Sequence, residues 1–407
     1  MFMTRHGEFR RGLGWRCQIF TPIMLCLLTL IICQVVRPVD GLDLFGFNVR
    51  MPSLFPRTGN VLGGTVQSLE KRAANKTLWI LAKTYQGQTF FDEWDFYSGP
   101  DYTHGLVDYL NKTEAIASGL AYITEDGRAN MHVDSVTPLT LDEINSQTKL
   151  RPSIRISTQA KYNQGLFILD VAQAPYGCGT WPAYWSTNEN WPNDGEIDII
   201  ENVHSSVSNQ VSWHTTANCT LISPGNYTGT AGSTTCDHNY MSNTGCGIVD
   251  QSIASFGPTF NAKGGGVYAM KWDSNSIDVW FFYRSAIPDD ILTGLPSPGT
   301  WPLPSASLSG LGCPIDTYFR NHMLIFDMTL CGDWAGTSYE AAGCPGTCAE
   351  RVADPSSFVN ATWSINSIKI YNQTVINTAY LDAGTGRTGY SFWAAVFALI
   401  AALLLFL

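Results

Sequence analysis

The stretch Trp191-Pro-Asn-Asp-Gly-Glu196-Ile-Asp198-Ile-Ile-Glu201-Asn-Val-His204 places three carboxylates close together and interleaves them with isoleucine. Isoleucine favours a strand, and along a strand alternate side chains share a face, so Glu196 and Asp198 point the same way. Glu201 lies five residues from Glu196 and faces the other way in a regular strand. A β-bulge at Ile199–Ile200 absorbs the odd residue and returns Glu201 to the face of Glu196. Ile197 and one bulge isoleucine then pack inward. An acidic edge strand would carry similar charges. Yet three clustered acids repel one another, and burying them without use is costly.

Short runs of the same character flank this stretch: residues 151–159, 165–172, 211–216, 266–272, 277–282, 322–330 and 363–372. Each is bounded by Gly, Pro, Asn or Asp, and no amphipathic helical pattern exceeds two turns. Many short strands without alternating helices predict an all-β antiparallel sandwich or jelly roll of two sheets. A domain over residues 73–376 is large for a sandwich, so long loops must decorate it.

The chemistry follows from the carboxylates. Two carboxyls about 5–5.5 Å apart, one a nucleophile and one an acid/base, make a retaining glycoside hydrolysis site. A third between them shares a proton and holds up the pKa of the acid. Tryptophans gather nearby in CGTWPAYW (178–185) and WPNDGE (191–196). Their aromatic planes suit the CH faces of sugar rings.

With FFDEWDFYSGPDYTHGLVDY (90–109), GLFILD (165–170), GEIDIIE (195–201), GGGVYAMKW (264–272), CGDWAG (331–336) and WSINSIKIYN (363–372), these motifs give a pattern that resembles family 16 glycoside hydrolases. Within that family it is most similar to the fungal laminarinase-like endo-1,3(4)-β-glucanases. The resemblance implies a jelly roll with a concave substrate cleft. It also implies retaining hydrolysis of 1,3- or mixed 1,3/1,4-β-glucan through a glycosyl-enzyme, while the membrane-directed ends read below add a fungal cell surface, where transglycosylation is a variant outcome. Carried over, Glu196 matches the nucleophile, Asp198 the supporting carboxylate and Glu201 the acid/base. Trp185 and Trp191 match aromatics for non-reducing-side glucose units, Trp334 a further platform, and His214 a cleft histidine. Trp334 reads equally as core and His214 equally as structural, whereas Trp213, Trp272 and Trp280 read as core. Asn202 and His204 depart from the family's usual residues and are expected to border the cleft. A non-catalytic glucan-binding protein is the alternative, and the three intact carboxylates argue against it.

Composition agrees. The chain of 407 residues has net charge −10, only 14% charged and 12% aromatic residues. An acidic surface disfavours nucleic acid, and low charge with many aromatics suits a neutral, hydroxyl-rich ligand. No cofactor and no metal are expected, since the histidines are scattered, and the protein is expected to be a monomer.

The 11 cysteines divide by position. Cys17, Cys26 and Cys33 lie within segment 1–37. The other eight, an even number, run from Cys178 to Cys348 as expected of bridges in a secreted domain. Segment 1–37 joins five arginines and one glutamate to the uncharged run Ile19–Val36. It reads as a signal peptide or signal anchor. Residues 38–72 read as a linker or pro-segment ending in Lys71–Arg72. Residues 377–407 end in the apolar run 391–407. That end reads as a GPI-attachment signal, with a transmembrane tail as the alternative. Sequons at Asn75, Asn111, Asn218, Asn226, Asn360 and Asn372 predict exposed glycosylation sites. The protein is therefore expected in the secretory pathway, at the cell surface or secreted.

Overall fold

Gly165–Gln173 reads GLFILDVAQ, an almost unbroken apolar run, because both of its faces are covered. Phe167, Leu169 and Val171 enter the main core, while Leu166 and Ile168 join a second cluster with Trp79, Val267, Ala269, Trp280, Phe282, Ile291 and Tyr371. This strand sits centrally in one of two large antiparallel sheets. Its sheet runs Ala306–Ser309, Ser276–Tyr283, Gly266–Trp272, Gly165–Gln173, Thr362–Asn377, Ala129–His132, Ala121–Ile123, with Asn75–Gln86 paired along the far part of Thr362–Asn377. The second cluster lies on the outside of that sheet, where Ile287 and Trp301 pack against it. Decorating loops thus supply core, which accounts for the size of the domain.

The other sheet runs Thr230–Ala231, Cys246–Val249, Gln210–His214, Glu196–Glu201, Thr180–Thr187, Met323–Leu330, Arg155–Thr158, Trp94–Phe96. Its inner face contributes Trp94, Ile156, Tyr184, Ile197, Trp213, Phe326 and Met328 to the main core. The two sheets make the expected jelly-roll sandwich, and every helix among the described residues is short. This computed structural model describes residues 75–377. Segment 1–37, expected as a signal, segment 38–72 with Lys71–Arg72, expected as a linker or pro-segment, and the residues from 378 onward lie outside the described residues.

Every run expected as a strand is extended, but 151–159 divides at Ile154 into Arg151–Ser153, which pairs with Val107–Tyr109, and Arg155–Thr158 of the second sheet. Thr180–Thr187 is a strand that the pattern does not predict, because Pro182 sits within it and proline removes a ladder donor. The Thr180 carbonyl accepts from His204 N–H, so Pro182, two residues on, turns its missing N–H to the same side. That side lies just past the last pair with the carboxylate strand, Glu201 opposite Ala183.

All eight cysteines of the domain are bridged: Cys178–Cys344, Cys219–Cys313, Cys236–Cys246 and Cys331–Cys348. Asn218, Asn226, Asn360 and Asn372 are exposed. Asn111 is only partly exposed, because its Oδ1 caps the helix Lys112–Ala117 by accepting from Glu114 N–H.

Candidate active site

Glu196–Glu201 lies between Thr180–Thr187 and Gln210–His214, and its register with both neighbours shifts after Asp198. Asp198 pairs with Trp185, Ile200 with Tyr184 and Glu201 with Ala183, so Ile199 is the extra residue of a bulge. Paired residues share a face, and Trp185 and Ala183 are two apart. Glu201 therefore returns to the face of Asp198 and Glu196. Ile197, Ile199 and Ile200 all enter the core, so both bulge isoleucines point inward rather than one. The sheet's outer face carries the carboxylates.

Asn209 holds the bulge. Its Nδ2 donates to the Ile199 carbonyl at 2.8 Å, and its Oδ1 accepts from Glu201 N–H at 3.0 Å. Both are backbone groups that the shifted ladder leaves over. Ahead of the strand, Gly195 has φ +78° and no room for a side chain, since a Cβ would lie 2.5 Å from the Tyr318 carbonyl. Only glycine takes that conformation freely in so tight a space.

His214 faces Glu196 across the strand pair. Its Nε2 stands 3.4 Å from Asp198 Oδ2 and 3.8 Å from Glu196 Oε1. Those are ion-pair distances without hydrogen-bond geometry. Its Nδ1 is 2.9 Å from Asn243 Oδ1. Burial alone would lower its pKa, but Asp198, Glu196 and Glu201 outweigh that and push it up to about 10. Burial and then the negative charge of Asp198 push Glu196 up to about 8. The same two causes raise Glu201 well above the ordinary carboxyl range, against the Trp181 hydrogen bond. Ligand atoms of Glu196, Asp198 and His214 lie within 4.8 Å of one another, close enough to share a cation. His214 faces both carboxylates and, when protonated, sets a positive charge of its own beside them.

The aromatics are divided around it. Trp185 donates from Nε1 to Asp327 Oδ2 at 3.2 Å and stacks under the Arg155 guanidinium, 5.0 Å from its ring centre. Trp334 is half-buried on the turn Gly332–Gly336 and packs edge-on against Trp181, ring centres 5.7 Å apart. Trp191, 39% exposed, meets the His238 ring edge-on at 5.3 Å. Trp213, Trp272 and Trp280 are core residues, as expected.

Residues 94–371 match the family described as XgeA-like, catalytic GH16 domain. The chain belongs to glycoside hydrolase family 16. A probable glycosidase of Schizosaccharomyces pombe is 43% identical over 298 residues, covering 72% of this chain and 69% of that one. A probable endo-1,3(4)-β-glucanase of Aspergillus fumigatus is 38% identical over 79% of this chain, which spans only 50% of that relative's length. Among solved structures, Laminarinase 16A of Phanerochaete chrysosporium, with 6-O-glucosyl-laminaritriose in donor and acceptor sites, is 38% identical with TM-score 0.69. It aligns with 73% of this chain and 100% of its own. An elongating GH family 16 β-1,3-glucosyltransferase is 37% identical with TM-score 0.68, over 72% of this chain and 100% of its own.

In this family 16 site, sequence reasoning misses three participants. Trp181 donates from Nε1 to Glu201 Oε1 at 2.8 Å. Its signal is present, in the same CGTWPAYW that yields Trp185. Asn209 and Asn243 carry no local signal, because each reaches the site through tertiary placement. One expectation is corrected: His204 does not border the cleft. It is 4% exposed, and its φ of +60° turns the chain inward. Its Nδ1 accepts from Gly179 N–H at 3.1 Å beside the Cys178–Cys344 bridge. Asn202 is partly exposed and bonds to Ser208 and Val203 backbone.

Proposed function

We propose that this glycoside hydrolase is a retaining endo-β-glucanase acting on 1,3- or mixed 1,3/1,4-β-glucan. The bulge carries the proposal, because it sets Glu201 on the same face as Glu196 with Asp198 between them. Glu201, which holds its proton, protonates the glycosidic oxygen as Glu196 attacks the anomeric carbon. The C1–O bond to the leaving sugar breaks and a glycosyl ester forms on Glu196. Glu201, now a carboxylate, takes a proton from water, whose oxygen attacks C1 and frees Glu196. Asp198 and His214 balance charge beside the nucleophile. Trp185, Trp191 and Trp334 serve as sugar platforms. The names of the glucanase and laminarinase relatives support β-glucan as substrate.

A second reading is favoured by one observation: the glucosyltransferase structure is about as similar as the laminarinase. Sugar then replaces water as acceptor and products grow longer than the substrate. We also place the protein outside the cytoplasm. Four bridges fit an oxidising compartment, and four exposed sequons fit glycosylation there.

The test is incubation of the full chain and of Glu196→Gln with laminarin, barley β-glucan and cellulose, with product lengths and anomeric configuration followed over time. Retained configuration and cleavage or transfer by the wild type, absent in the variant, is the expected result. Binding without cleavage or transfer sinks the enzyme reading, and full activity of Glu196→Gln sinks the nucleophile assignment.

A further inference from the structure

The loop closed by Cys236–Cys246, ten residues apart, reaches back to the site from the neighbouring strand Cys246–Val249. Met241, Ser242 and Asn243 have φ of +45°, +56° and +65°, three successive non-glycine residues in the left-handed region. L-residues enter that region singly and at a steric cost, and such outliers persist only where surrounding structure enforces them. Here the distorted segment delivers two contacts to one side chain. Asn243 Oδ1 lies 2.9 Å from His214 Nδ1. An amide oxygen only accepts, so Nδ1 carries the proton. Gly245, φ +66°, lies against the imidazole, and a Cβ there would come within 2.6 Å of its Cε1.

We propose that this disulfide-closed loop is the positioning element of the nucleophile side, with Asn243 as the residue that orients His214. The inference rests on the glucanase reading above. With Nδ1 held by Asn243, Nε2 is turned toward Asp198 and Glu196 and presents positive charge to both. The charged groups facing His214 are Glu196, Asp198 and, farther off, Glu201, all on the adjacent strand. At the loop's start Asp237 and His238 are engaged with each other at 3.5 Å. An imidazolium seated in this way favours the ionised Glu196 that attack requires. Asn243 touches no substrate in this account and acts through His214. The same loop braces Trp191 through His238.

The test compares wild type, Asn243→Gly and Asn243→Asp as full chains. Glycine keeps the left-handed backbone without strain and removes only the acceptor, whereas aspartate restores it. For Asn243→Gly we expect kcat on laminarin to fall about tenfold with KM within about twofold, as for loss of a hydrogen bond to a charged group. The acid limb of the pH–rate profile moves upward, because a His214 that loses its proton more readily stabilises ionised Glu196 less. Asn243→Asp recovers most of kcat. Nitrogen-15 histidine spectra give a readout independent of activity, and in the wild type independent of variant folding: wild-type His214 is doubly protonated at pH 7, and Asn243→Gly lowers its titration. A neutral His214 in the wild type, or Asn243→Gly with unchanged kcat and pH profile, overturns the proposal. A wild type inactive on every β-glucan overturns the glucanase reading instead and leaves the histidine spectra to judge the loop.

Discussion

The Asn209 side chain accepts from the Glu201 backbone N–H at 3.0 Å while donating to the Ile199 carbonyl, so one amide occupies the gap that the bulge opens. Asn209 is 1% exposed, and removing its amide leaves both backbone groups buried without partners. Asn209→Ala is expected to cost about 1–3 kcal/mol of stability, read by denaturant unfolding. It also misplaces Glu201 and spares Glu196. Laminarin hydrolysis, which needs the acid, is expected to drop about 10²-fold. An aryl β-glucoside with a good leaving group needs little protonation and is expected to lose far less. Equal losses on both substrates refute the assignment of Asn209 to the acid side.

Trp181 offers a separate handle on the same group. Its Nε1–H donates to Glu201 Oε1 and pulls that carboxyl downward against burial and Asp198. Trp181→Phe keeps the ring beside Trp334 and removes the donor. The Glu201 pKa then rises further, so the alkaline limb of the pH–rate profile, where the acid loses its proton, moves to higher pH. An alkaline limb left in place denies Trp181 this role.

The strands are legible where β-branched residues alternate between turn residues, and the carboxylate bulge is legible because the odd five-residue spacing demands one. Thr180–Thr187 is not, because the harmlessness of Pro182 depends on where the neighbouring strand stops. Asn75–Gln86 is not, because its ladder depends on a partner far along the chain, at Ser367–Asn377. The grouping of Glu196, Asp198 and Glu201 on one face is legible in their spacing, whereas their separate roles come from the resemblance and its flanking tryptophan motifs. Trp181, Asn209 and Asn243 act on them across strand pairs and loop returns, which local pattern does not encode. His204 misleads because nearness to Glu201 in sequence says nothing of the inward turn that follows.

Arg155 and Asp327 hold Trp185, the sugar platform proposed above. The guanidinium lies 3.6 Å from Asp327 Oδ2 and over the rings of Trp185, Tyr97 and Tyr102. Burial raises Asp327 to about 7, with Arg155 opposing and Asp101 adding to the rise. Asp327→Asn removes a charge that the wild type carries only above about that pH. Its KM for laminarin is expected to match the wild type at pH 5 and to rise several-fold at pH 8, with kcat little changed. A defect independent of pH shows that charge on Asp327 does not tune the platform.

The carboxylate cluster also dictates how stability follows pH. Glu196 and Glu201 hold protons in the folded chain at pH values where an unfolded chain, with carboxyls near 4.5, has released them. His214 likewise titrates near 10 folded and about 6.5 unfolded. In each case the folded state binds more protons over the interval, so unfolding free energy falls as pH rises. The carboxyl contributions are complete below about pH 4.5, and the Glu196 part fades as pH climbs through about 8. The His214 contribution is complete below about 6.5 and fades through about 10. Thermal unfolding is therefore expected to be highest in mild acid and to decline steadily toward pH 9. Glu196→Gln removes one acid that must ionise in the buried cluster. Near pH 8 it is expected to melt above the wild type by a few degrees, since each 1 kcal/mol moves a domain of 150–250 residues by about 2–4 °C and a larger one by less. At pH 5, where wild-type Glu196 is itself protonated, the two melt together. A variant that melts lower than the wild type at pH 8 shows that ionised Glu196 is stabilised by His214 more strongly than burial and Asp198 oppose it.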